Sequence, residues 1–136
     1  MVWVYDRILF MNPELNLWLE KARESLDDAV ASLKNHRYSL TAWCCQQALE
    51  KLLKAAIIRL KKQRPRKIHD LLPLLRESGL DLPEEKVAEI AKISKFYFLV
   101  RYPDLNRKFF ATPQVAKTTL KKTKEIFLWI EKKLTE

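Results

Sequence analysis

From Trp43 to Ile58 the chain runs without a Gly or Pro through strong helix formers. Cys45, Ala48, Leu49, Leu52, Leu53, Ala56 and Leu60 recur at the spacing of one buried helical face. Trp43, Ala55, Ile57 and Ile58 widen that face beyond a single stripe, which predicts a helix packed between several neighbours. Only a narrow polar seam is left, Gln47, Glu50, Lys51 and Lys54, in which Glu50 and Lys54 have the spacing of an i, i+4 ion pair. The pattern predicts a helix from Tyr38 to about Lys62, with the seam as a salt-bridged strut or the wall of a cleft.

The same periodicity organises the rest of the chain. Asn12-Pro13-Glu14 supplies a cap, a helix-compatible proline and a first-turn carboxylate. Leu15, Trp18, Leu19, Ala22, Leu26, Ala29, Val30 and Leu33 then mark one face of a helix of about six turns, closing near Asn35-His36. His36 reads as a turn residue, since no Cys or acidic cluster accompanies it. Lys61 to Lys67 is a basic loop, either a solvated connection too polar for the core or a phosphate-contacting segment. Residues 68–79 predict a short helix that tolerates Pro73 in its first turn and stops at Gly79. Asp81-Leu82-Pro83-Glu84-Glu85 starts another, buried along Val87, Ile90, Ala91, Ile93, Tyr97 and Val100, which must end before Pro103. Arg101 to Ala111 reads as an irregular basic and aromatic link. Thr112-Pro113 caps a last helix with Val115, Ala116, Thr119, Leu120, Thr123, Ile126, Phe127, Ile130 and Leu134 on its inner side. The fold class is all-α, an antiparallel up-and-down bundle of four or five helices. Residues 1–136 form one domain, and Met1 to Asn12 an apolar arm packed on its own bundle or on a second copy.

Composition narrows the function. One glycine in 136 residues argues against a phosphate loop and the nucleotide-binding folds built on it. A formal charge of +9 favours anionic partners, although Lys-rich helices of a thermophile protein would raise the charge equally. The adjacent Cys44 and Cys45 point about 100° apart on a helix and cannot share a metal or bridge each other, which fits buried thiols in a reducing cytoplasm. No metal-ligand spacing, nucleophile elbow or membrane-length apolar run is present, so no metal, cofactor or membrane role is expected.

Several blocks together carry a resemblance. Trp18-x3-Ala22, Tyr38-Ser39, Gln46-Gln47-Ala48-x-Glu50-Lys51-x2-Lys54-Ala55, His69-Asp70-Leu71, Arg101-Tyr102-Pro103-Asp104 and a closing Thr-Pro helix resemble, in order, the HEPN domain family. They span nearly all of residues 14–134. The resemblance implies a helical bundle that dimerises around a shared cleft and pairs with a minimal nucleotidyltransferase, in toxin–antitoxin or nucleotide-binding roles.

Many members are metal-independent ribonucleases that use an Arg, four to six further residues and a His. Arg would stabilise phosphate charge and His would handle the 2′-hydroxyl or leaving-group proton. Arg101 matches the Arg, but the His positions are Asn106, Arg107 and Lys108. The spacing Arg64-x4-His69 is a formal match at the wrong place in the fold. The leading expectation is therefore a homodimeric module, non-catalytic or weakly catalytic, that binds a nucleotide, an RNA end or a nucleotidyltransferase. Arg101 would contact the anion and Tyr102 would stack or donate its hydroxyl; Gln47, Glu50, Lys51, Lys54 and Asp104 would line the site. Two alternatives stand beside it. One is an active ribonuclease toxin that uses Arg101, with His69 or a residue of a second chain in place of the missing base; the other is a purely structural interaction bundle, in which His69 braces the helices and Arg101 pairs with Asp104.

Overall fold

A computed structural model describes residues 12–136; the expected N-terminal arm lies outside the described residues. These fold into six helices: α1 (Pro13–Lys34), α2 (Tyr38–Ala56), α3 (Leu71–Ser78), α4 (Glu84–Leu99), α5 (Pro103–Phe110) and α6 (Gln114–Leu134). No strand forms among them. The fold class is all-α, as the hydrophobic periodicity predicts.

The breadth of α2's apolar face explains its position. It packs against α1, α3, α4, α5 and α6, and no other helix touches so many neighbours. Ala42, Cys45, Ala48, Leu49, Leu52, Leu53, Ala55 and Ala56 are fully buried along it. Leu15, Leu19, Ala22, Leu26 and Ala29 of α1 close over one side, and Ile126, Phe127, Ile130 and Leu134 of α6 over another. Cys44 and Cys45 are both buried free thiols. Burial in apolar surroundings pushes the Cys44 thiol up to about 11 and the Cys45 thiol up to about 12.

Local signals set most helix ends. Asn12 Oδ1 accepts from the amides of Glu14 (2.8 Å) and Leu15 (3.3 Å), capping α1. His36 takes the left-handed conformation that turns α1 into α2 (φ 59°). Gly79, at φ 74°, ends α3. Across the α1–α2 contact, Ser32 and Thr41 hydroxyls bond at 2.9 Å, and Arg23 ties α1 to Glu131 of α6 at 3.2 Å.

Four local expectations fail. Residues 101–111 are not an irregular link: α5 occupies Pro103–Phe110, nucleated by Pro103 at its first position and anchored by buried Phe110. The α-helical geometry of α2 stops at Ala56 and continues as a π turn, Ile57–Lys61. That wider turn rotates Leu60 off the buried face, leaving it 39% exposed. Thr112 makes no capping bond, and Pro113 itself precedes α6. In the basic loop, Pro65 is buried although its charged neighbours are not.

Candidate anion site on an aromatic tier

The polar seam of α2 turns inward. Glu50 is 4% exposed and Lys54 5%, and their side chains meet at 3.0 Å. A carboxylate this buried must have its lone pairs occupied. Besides Lys54, Glu50 accepts from Gln46 Nε2 (3.2 Å) and from His69 Nδ1, at 3.0 and 3.2 Å to its two oxygens. Gln46 Nε2 also donates to the His69 carbonyl at 2.8 Å, and Gln47 Nε2 donates to Gln46 Oε1 at 2.7 Å. A carboxylate only accepts, so Nδ1 carries a proton, and any free lone pair on the ring belongs to Nε2.

The His69-Asp70-Leu71 block has one task per residue. Leu71 is fully buried; Asp70 caps α3 and accepts from the Ser94 hydroxyl at 3.0 Å, tying α3 to α4. His69, its side chain 48% exposed, bridges the Glu50 network and the outer surface.

On that surface the His69 ring stacks on Tyr97 of α4, centroids 4.1 Å apart and planes 15° from parallel. Tyr97 also stacks with Trp43 of α2 at 5.1 Å. The Arg101 guanidinium lies 4.1 Å from the Tyr97 centroid and 5.2 Å from that of Trp43. Arg101 follows α4 directly, is exposed and forms no ion pair among the described residues. The aromatic rings hold its planar head without using its N–H donors. One tyrosine therefore gathers a fixed cation and a fixed imidazole 32 positions apart in sequence.

The other expected site residues sit as follows. Tyr102, 55% exposed, takes the cap position of α5, and Asp104 is exposed in its first turn, with no ion pair to Arg101. Lys51 Nζ donates to Ser25 Oγ of α1 at 2.9 Å, a helix-to-helix strut. Asn106, at the first of the expected His positions, donates Nδ2 to the Val100 carbonyl at 2.8 Å, satisfying the end of α4. Trp43 and Tyr97 are the members of the tier that sequence reasoning placed in the core. Their residue types hold the one hint, since Trp and Tyr carry a polar edge that suits a half-buried place, but no spacing brings Trp43 to Arg101. Among the described residues no His, Cys, Asp and Glu side chains cluster as a metal site. No helix among them is long and apolar enough to cross a membrane.

An all-α bundle with a buried Glu50–Lys54 pair, joined through half-exposed His69 to an Arg-bearing aromatic tier, defines the class. Residues 15–133 match the HEPN domain, and the chain belongs to that family. It is also similar to TT1696 from Thermus thermophilus, whose crystal structure superposes with a TM-score of 0.75. The two are 30% identical over 88% of this chain and 97% of that one. No curated protein matches the sequence.

Proposed function

We propose that this chain is a binding module for a phosphate-bearing ligand, a nucleotide or an RNA end, and that Arg101 holds the phosphate. The observation that carries the reading is the Arg101 head, exposed, unpaired by carboxylate and oriented by Tyr97 and Trp43. Its guanidinium offers N–H donors in the planar fork that suits a phosphate's oxygens. His69 on the same ring adds a second donor or acceptor, and exposed Tyr102 a hydroxyl or stacking face. Membership of the HEPN family supports a nucleotide- or RNA-related role. The module works as a homodimer in which two such sites share a cleft, paired with a minimal nucleotidyltransferase in a toxin–antitoxin system. Two-fold symmetry doubles the positive potential at that cleft. Calorimetric titration with nucleoside mono-, di- and triphosphates and short RNA tests the site. Arg101→Ala should weaken binding about tenfold or more, the worth of a charge-assisted hydrogen-bond pair. No heat with any of these, alongside tight nucleotidyltransferase binding, would leave a purely structural bundle as the answer.

A second reading rests on the Glu50–His69 contact. Glu50 fixes the Nδ1 proton and directs Nε2 outward, the arrangement a general base needs. In metal-independent cleavage, His69 Nε2 would take the 2′-hydroxyl proton as that oxygen attacks phosphorus. The P–O5′ bond breaks, the 5′-oxygen leaves as an alcohol by taking a proton from water, a 2′,3′-cyclic phosphate forms, and Arg101 stabilises the added charge. RNA left intact in EDTA refutes this reading. Cleavage lost in both His69→Ala and Arg101→Ala establishes it.

A further inference from the structure

Two cavities lie along the face between α1, the π turn and the basic loop; the first is clear of the phosphate site proposed above, and the second reaches it only at His69. One, of about 440 Å³, opens between the start of α1 and the π turn, walled by Arg59, Lys62 and Arg64. The other, of about 420 Å³, has Trp18, Lys67 and His69 in its lining. Arg64 and Glu14 border both, so the two form one groove running from the π turn to His69.

Its charges are unbalanced. The two other cations in the second cavity already have carboxylate partners: Lys54 with Glu50, and Arg66 with Glu77 at 3.0 Å. Arg59, Lys62, Arg64 and Lys67 form no ion pair among the described residues. Glu14 is the sole carboxylate lining either cavity among those residues. Arg59 also keeps a buried Nε with no hydrogen-bond partner, a donor left over within the wall. The backbone aims the row: the π turn carries Arg59, and Lys62 follows in the left-handed conformation (φ 53°). The chelated Arg66 then braces the loop that presents Arg64 and Lys67.

We infer that this groove is a track for single-stranded RNA, leading a strand several nucleotides long to His69 and Arg101. A row of cations suits successive phosphates, and Trp18 supplies an aromatic wall on which a base can stack. A mononucleotide would use only one end of it. The inference rests on the phosphate-binding reading of Arg101 but assigns different residues.

The test is fluorescence anisotropy with labelled oligouridylates of about two, four and eight nucleotides, read across a salt series. The variant Lys62→Ala/Arg64→Ala/Lys67→Ala changes exposed residues only, and circular dichroism checks that it stays folded. It should bind the longest oligomer about 100-fold more weakly near 0.1 M salt, with a log–log salt slope shallower by about 2. It should bind a nucleoside monophosphate as wild type does. Trp18→Leu should weaken the long oligomer about tenfold. Unchanged affinity and slope in the triple variant overturn the track, even where Arg101→Ala abolishes mononucleotide binding. Loss of mononucleotide binding in the triple variant instead makes the groove part of a single phosphate site and also overturns it. Polyglutamate competing as well as RNA, with Trp18→Leu silent, overturns it in favour of an acidic protein partner. A mononucleotide indifferent to Arg101→Ala sinks the site reading while the salt slope still decides the groove.

Discussion

The buried Glu50–Lys54 pair makes a sharp stability prediction. Glu50→Leu leaves the Lys54 ammonium, 5% exposed, without its carboxylate, and leaves the Gln46 and His69 donors without their acceptor. Stranding one member of a buried pair costs about 3–5 kcal/mol, mostly as the uncompensated charge. For a domain of 136 residues each kcal/mol lowers Tm by about 3–4 °C. The single variant should therefore melt about 9–20 °C below wild type, followed by circular dichroism and by urea unfolding. Lys54→Met should cost less than Glu50→Leu, because the remaining carboxylate keeps the Gln46 and His69 donors. The double variant Glu50→Leu/Lys54→Met should recover much of the loss, since an apolar pair of matched volume replaces both charges. A drop in Tm under about 3 °C for Glu50→Leu would refute the claim that this seam is a dry, mutually satisfied network. Strict additivity of the two single changes would refute the pairing itself.

Other outcomes follow from single contacts. Arg101→Ala should leave Tm within about 2 °C of wild type, because its stacking is exposed, while phosphate-ligand binding falls. Phe127→Ala, at a fully buried ring, should cost about 3–5 kcal/mol in urea unfolding. Asn12→Ala should cost about 1 kcal/mol by removing the α1 cap. Alkaline stability should fall as pH rises from about 9 towards 11–12: the unfolded thiols ionise near 9, whereas folded Cys44 and Cys45 hold their protons to about 11 and about 12. Cys44→Ala/Cys45→Ala should flatten that decline, measured as urea midpoint against pH.

Most of the fold was legible because α1, α2 and α6 bury their faces by periodicity; of the row expected on α4 only Ile90 and Ile93 are buried, and Phe96, outside that row, joins them. The α6 row from Ala116 to Leu134 is buried as its spacing predicts, as are Leu15, Leu19, Ala22, Leu26 and Ala29 in α1, while Trp18 of that row is only partly buried. The failures fall where tertiary context overrides a local signal. Residues 103–110 read as link because Arg107, Lys108 and an Asn dilute the pattern, yet burying Phe110 against Phe96 at 5.5 Å is enough to hold two turns. At the end of α2 periodicity assumes one pitch throughout, and the π turn breaks that assumption at Leu60.

The site was legible in parts and illegible as an assembly. Glu50–Lys54 follows from helical spacing alone. Nothing in spacing joins His69 to Glu50, 19 residues away, because that contact depends on how α3 docks on α2. Still less does it join His69 to Arg101, which meet through the ring of Tyr97 on a third element. A motif search that counts residues after Arg101 finds Asn106, which the structure uses to close α4, and stops there. Proton-transfer chemistry needs an imidazole near the phosphate and is indifferent to which helix supplies it. The missing His in the linear motif therefore bears on how this chain would cleave RNA far more than on whether it can. That is why the EDTA assay on His69→Ala, and not the spacing after Arg101, separates a binding module from a nuclease.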